Sequence, residues 1–247
     1  HADTTIQVSG GGSGTGIAAL LNGTCDIANS SRPIKDRERE QVRATRHSEV
    51  REFKVALDTL AVYLHTGNPI RSLTMPQLNE IFSGRITNWN QLGGVDAPII
   101  VYSRENNSGT YAYFKEHVLD GGDFAATAQT LPGTAAVINA ISRDPNGIGY
   151  GGIAYSAGVR AIAIAPADGA PVEPTMQNAT NGAYPLARFL YLYTPGEPSP
   201  LARRYIDFVL SPAGQGVVEG VGFYPLPRAG AAAATPAAAA APSTGAH

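Results

Sequence analysis

The sequence predicts an α/β fold, and three observations carry the prediction. Short β-branched runs alternate along the chain with segments of helical period. Glycine-serine loops stand twice between a strand and a helix, as GGGSGTG at residues 10–16 and as NNSGT at residues 106–110. Two long apolar runs, FKVALDTLAVYLH and YPLARFLYLYT, lack helical period and are long enough to cross between two lobes. Alternation of this kind implies mainly parallel strand pairing.

Taken in order, IQV at residues 6–8 reads as a short strand entering the first glycine-serine loop. The following IAALLNG places Ile17, Leu20 and Leu21 on one helical face, and Gly23 suits the helix stop. CDIAN is a second short strand, and Pro33 ends it before the charged helix KDREREQVRA. FKVALDTLAVYLH is a buried strand. Thr74-Met75-Pro76-Gln77 fits a capping box, with Met75, Leu78, Ile81 and Phe82 as the apolar stripe behind it. APIIVYSRE is a strand, NNSG a turn, and TYAYFKEHVL a helix with Tyr111, Phe114 and Val118 inward. PGTAAVINAISRDPNGIGYGGIAY alternates helix with glycine-rich turn, and VRAIAIA and YPLARFLYLYT are further strands. PLARRYIDFVLSPAGQGVVEGVG forms two amphipathic helical pieces. From Ala229 onward the chain has no large apolar residue to bury and carries two prolines, so it reads as a disordered tail.

At 247 residues the chain is long enough for one large domain or for two lobes with their own cores. A formal charge of −2 gives no reason to expect nucleic acid or an anionic membrane as partner. The five histidines are scattered without metal-ligand spacing, so neither a metal nor a cofactor is expected. Cys25 is the one cysteine, which forbids an intrachain disulfide and reads as a small buried hydrophobe on a strand. The chain begins at His1 without a signal peptide, as a processed chain or a fragment does.

The two glycine-serine loops carry the chemistry. Unpaired amides at a helix start, with the positive end of the helix dipole, favour an anion. Glycine lets the main chain approach a ligand, and Ser13, Thr15, Ser108 and Thr110 add hydroxyl donors. Arg104 precedes the second loop and offers the planar fork that matches a tetrahedral oxyanion. A nucleotide loop is a poor fit, because Gly14-Thr15-Gly16-Ile17 lacks the lysine of a P-loop. A phosphate-ester hydrolase using Ser13 or Ser108 as nucleophile is a rival without a visible activating base.

VSGGGSGTGIAALLNGTCDIANSSRP, LTMPQLNEIFSGRITNWNQLGG, VYSRENNSGTYAYF, NGIGYGGIAY and DFVLSPAGQGVVEGVGFYPL together resemble the phosphate-binding proteins of bacterial phosphate ABC transporters (PstS type). The likeness runs in order over nearly all of residues 5–227. It implies a type II periplasmic-binding-protein fold whose lobes are residues 1–63 with 185–228, and residues 64–184, followed by a tail at 229–247. It further implies an extracytoplasmic, non-enzymatic receptor for inorganic phosphate that serves a membrane permease, periplasmic or extracellular, with lipid attachment through a region absent from this chain left open. By the same resemblance Ser13, Ser31, Arg104, Ser108, Gly109 and Thr110 are the ligand residues.

The sequence departs from the family at two places. By the resemblance, the strand, helix and ligand loop that open the first lobe in the family are expected to be missing ahead of HADTTIQV, as in a truncated chain. Some members carry aspartate where Ser31 stands, and such a carboxylate accepts from protonated phosphate while repelling sulfate. Asp58, the one acid in its apolar run, is either a substitute acceptor or an anchor of the hinge through backbone hydrogen bonds. Sulfate, molybdate and tungstate remain alternative ligands for the same fold.

Overall fold

A computed structural model describes residues 5–227, so the tail read as disordered lies outside the described residues. IQV does not form a strand. No strand among the described residues supplies its backbone with a partner, and Ile6 and Val8 are exposed. Helix α1 (Ser13–Asn22) buries Ile17 and Leu20 and ends on Gly23, whose φ of 70° is the left-handed cap anticipated there. Strand β1 (Ala28–Ser30) begins three residues later than the sequence suggests. Cys25 consequently lies in the turn before it, half-buried, instead of on a strand. Helix α2 (Asp36–Arg46) follows, anchored where the Arg32 guanidinium grips Glu38 at 2.7–2.8 Å.

Strand β2 (Val50–His65) is 16 residues long and organises the molecule. Leu60, Val62 and Leu64 enter one core while Ala61 and Tyr63 enter another on the opposite face. A strand covered on both faces needs apolar residues throughout, which is why its sequence shows no alternation. After it come β3 (Ser72–Thr74) and α3 (Met75–Phe82), which carries the capping box: Thr74 Oγ1 accepts from Gln77 N–H, and Gln77 Oε1 accepts from Thr74 N–H. Strand β4 (Ile100–Arg104) leads into α4 (Gly109–His117), then β5 (Gln129–Leu131) and α5 (Gly133–Arg143). In α4 it is Tyr113 beside Phe114 that is buried, with Tyr111 only half-covered.

NGIGYGG is not a turn. It is β6 (Gly147–Gly152), buried along its whole length between β2 and β4. Its glycines are steric, since a Cβ on Gly149 would sit 2.8 Å from Val137 Cγ1 of α5. Strands β7 (Val159–Ala161) and β8 (Ala163–Ala165), helix α6 (Met176–Thr180), strand β9 (Ala187–Pro195) and helices α7 (Pro200–Leu210) and α8 (Pro212–Gly220) complete the described chain.

The main sheet has the order β1-β9-β2-β6-β4-β5, with β7 also on β2, while β3 and β8 form a separate parallel pair. Pairing is mixed and not mainly parallel. β2 runs antiparallel to β9, β6 and β7, whereas β4 is parallel to β5 and β6. The expectation failed because the long run crosses the molecule: residues 50–59 pair with β9 and residues 60–64 with β6. Each half of the sheet has helices and apolar clusters on both faces. Ile17, Val42 and Tyr193 lie on one side of the β9 half, and Val55, Leu192 and Ile206 on the other.

Candidate functional site

Three helix starts converge on one cavity of about 450 Å³. α1 brings Ser13. α4 brings the Ser108-Gly109-Thr110 turn. α5, unmarked in the sequence reading, brings Gly133 and Thr134. Ser31, Asp58 and Arg104 line the same space, so the seven residues singled out from the sequence share one hollow.

The loops meet directly. Gly14 N–H donates to the Asn107 carbonyl at 3.0 Å, and Asn107 Nδ2 donates to Thr15 Oγ1 at 3.1 Å. A Cβ on Gly12 would overlap the Asn107 carbonyl, and one on Gly109 would overlap Ser13 Oγ. Glycine at these positions is what lets the first and second loops come together.

The hydroxyls are oriented by what they accept. Ser13 Oγ accepts from Ser31 N–H at 3.0 Å, and Ser108 Oγ caps α4 by accepting from Tyr111 N–H at 3.2 Å. Each thus has a lone pair engaged; Ser108 keeps a proton to offer, and Ser13 Oγ also lies 3.4 Å from Ser31 Oγ, where either hydroxyl can donate. The amides of Gly109 and Thr110, in the first turn of α4, have no helical carbonyl behind them to receive their protons. Together these groups form a surface of donors at the positive ends of helix dipoles.

Two guanidinium groups flank that surface. Arg104 is buried; its Nε and Nη2 donate to Glu105 at 2.9 and 3.1 Å, and its Nη1 donates to Thr134 Oγ1 at 2.6 Å. The hydrogen bonding from Arg104 to Glu105 holds the Glu105 carboxyl below its ordinary pKa, against the smaller effect of burial. Arg188 was missed in the sequence. On β9 it donates from Nε and Nη2 to Asp58 Oδ2, at 3.0 and 2.8 Å, and from Nη2 to Thr110 Oγ1 at 3.1 Å. Asp58 is 1% exposed, and its Oδ1 accepts from Ile153 N–H at 3.2 Å. Burial pushes the Asp58 carboxyl up, with Arg188 opposing. A backbone hydrogen bond and a place in the cavity wall coexist at Asp58, so the two sequence readings of this acid are not exclusive.

A signal for Arg188 was present. Asp58 is the one acid in one long apolar run and Arg188 the one base in the other. A buried charge needs a partner, and pairing the two runs as neighbouring strands supplies one. For Thr134 the signal was LPGT, a third glycine-hydroxyl junction between strand and helix.

Residues 1–213 match the sequence family described as a PBP superfamily domain. Phosphate-binding protein PstS of Pseudomonas aeruginosa is 39% identical over 245 residues, which cover 92% of this chain and 76% of that protein. Protein SphX of Synechococcus elongatus is 35% identical over 250 residues, covering 95% of this chain and 72% of its own length. Among solved structures, a putative phosphate ABC transporter substrate-binding protein with bound phosphate from Clostridium perfringens superposes with a TM-score of 0.78 at 32% identity, covering 87% of this chain and 85% of that one. An ABC-type phosphate transport receptor from Vibrio cholerae gives a TM-score of 0.74 at 28% identity, covering 92% and 90% of the two chains.

Proposed function

Because the chain belongs to the periplasmic-binding-protein superfamily and, within it, to the phosphate-binding proteins of the PstS type, we propose that it is a receptor that captures inorganic phosphate and delivers it to the permease of an ABC transporter. The observation that carries the reading is the convergence of three helix starts, their hydroxyls and two arginines on one cavity. Desolvating a phosphate is costly unless each oxygen finds donors, and here amides, hydroxyls and guanidinium groups surround a common space. The residues proposed to hold it are Ser13, Ser31, Arg104, Ser108, Gly109 and Thr110. Asp58 is the one carboxylate among the cavity-lining residues, and it accepts a hydrogen bond from a protonated oxyanion.

The lobes proposed are residues 1–63 with 185–228, and residues 64–184, joined through β2, which pairs with β9 up to Thr59 and with β6 from Leu60. Donors from both sides favour a closed arrangement, and the Gly14–Asn107 contact belongs to that state. PstS-type proteins act in the periplasm or outside the cell, and no helix among the described residues is long and apolar enough to cross a membrane. The receptor role is non-catalytic, as membership of a family of transporter substrate-binding proteins supports. Ser31, which both donates and accepts, favours a second reading in which sulfate or another tetrahedral oxyanion is also taken up.

Calorimetric titration with phosphate tests the assignment. Arg104→Ala and Ser108→Ala should each weaken binding about tenfold or more, since each removes a hydrogen bond to a charged ligand. Parental affinity in both variants refutes it.

A further inference from the structure

The cavity contains a pattern that occurs twice. Asp58 holds Arg188, and Arg188 donates to Thr110 Oγ1. Glu105 holds Arg104, and Arg104 donates to Thr134 Oγ1. Each chain of contacts runs from carboxylate to guanidinium to a threonine in the first turn of a helix, α4 in one case and α5 in the other.

We propose that Arg188 and Thr134 belong to the anion-binding set, and that these two relays each fix a threonine hydroxyl with its proton left for the ligand. The inference rests on the phosphate-receptor reading and extends its donor set. A threonine inside a helix ordinarily returns its proton to a carbonyl four residues back, as Thr45 does to Gln41 and Thr180 to Met176, both at 2.8 Å. Thr110 and Thr134 stand in first turns and have no such helical carbonyl. Among the described residues neither hydroxyl donates to a protein acceptor, and both line the cavity. Each hydroxyl already accepts from an arginine N–H, so an incoming anion oxygen is the acceptor for the proton it still holds.

Arg188 brings a second, independent observation. It is 4% exposed, lines the cavity, and among the described residues its Nη1 has no hydrogen-bond partner. A buried guanidinium N–H without an acceptor is costly, and a ligand oxygen removes the cost. The formal charges of the two arginines are cancelled by Asp58 and Glu105. Specificity for a tetrahedral oxyanion therefore resides in the directions of the donors and not in excess positive charge.

The test is phosphate titration of the protein and of Thr134→Val, Thr134→Ser, Arg188→Lys, Thr110→Val and the Arg188→Lys/Thr110→Val double variant, with melting curves for each. Thr134→Val should lose about ten- to a hundredfold in affinity at a parental melting temperature. Thr134→Ser, which keeps the hydroxyl, should recover most of it. The double variant should lose less than the sum of the two single losses, because the part of the Arg188 effect that runs through the Thr110 hydroxyl is already gone while its own contact with the anion is lost separately. Unchanged affinity in Thr134→Val, or additive losses in the double variant, overturns the relays while leaving the receptor reading intact. If Arg188→Lys fails to fold, the Thr134 pair alone decides. A parent protein that binds no phosphate overturns the receptor reading, and the relays with it.

Discussion

Asp58 and Arg188 face each other on adjacent antiparallel strands, one residue before β2 leaves β9 for β6, with Nη2 2.8 Å from Oδ2. The ion pair thus sits at the crossing itself, tied to α4 through Thr110 and to the residue after β6 through Ile153 N–H. Truncating one partner strands the other charge in a site with 4% exposure or less. Asp58→Ala should cost about 3–5 kcal/mol of stability by urea unfolding. A loss below about 1 kcal/mol would show that the pair is not what holds the crossing.

The same carboxylate bears on selectivity. On the proposed reading, Asp58, the acid in the cavity wall, would accept from a protonated phosphate and disfavour sulfate, which has no proton to give at neutral pH. Asp58→Asn should narrow the phosphate-to-sulfate affinity ratio in competition titrations. An unchanged ratio removes Asp58 from ligand contact and leaves it as a hinge anchor.

Gly109→Ala separates loop approach from helix stability. Alanine in α4 should stabilise the helix by up to about 1 kcal/mol. Its Cβ would nonetheless overlap Ser13 Oγ, across the junction of the two loops. The expected outcome is a folded protein, undiminished in melting temperature, whose phosphate affinity falls and whose scattering envelope stays open in excess phosphate. Normal closure would show that the contact between loops is dispensable.

Glu105 sets an acid limit. Its pKa lies below the ordinary 4.5, chiefly through the Arg104 hydrogen bond. A carboxyl depressed in the folded state contributes stability that is present above its unfolded pKa and lost as pH falls through its folded pKa. Stability should therefore decline below about pH 4.5, and Glu105→Gln should flatten part of that decline in denaturation curves. An identical acid limb in the variant contradicts this role.

Local chemistry was legible where one short stretch decides it. The Thr74 capping box, the Gly23 stop and the crossing run of β2 all follow from neighbouring residues. The two glycine-serine loops were readable for the same reason, since amide and hydroxyl donors at a helix start are adjacent in the chain. What escaped depends on partners far along it. β6 reads as a turn because its glycines answer to side chains far along the chain, on α5, β4 and β2, and Arg188 reads as part of an apolar run until its register with Asp58 is known. IQV has the composition of a strand, but composition does not supply a partner.

The central claim is that a tetrahedral anion is gripped by amides and alcohols at helix starts with arginines beside it. A crystal structure grown in excess phosphate tests it most directly. Phosphate oxygens should lie within hydrogen-bond distance of Ser13, Arg104, Ser108 and the Gly109 and Thr110 amides. Phosphate bound elsewhere, or those groups turned toward bulk solvent without a common ligand, would contradict it.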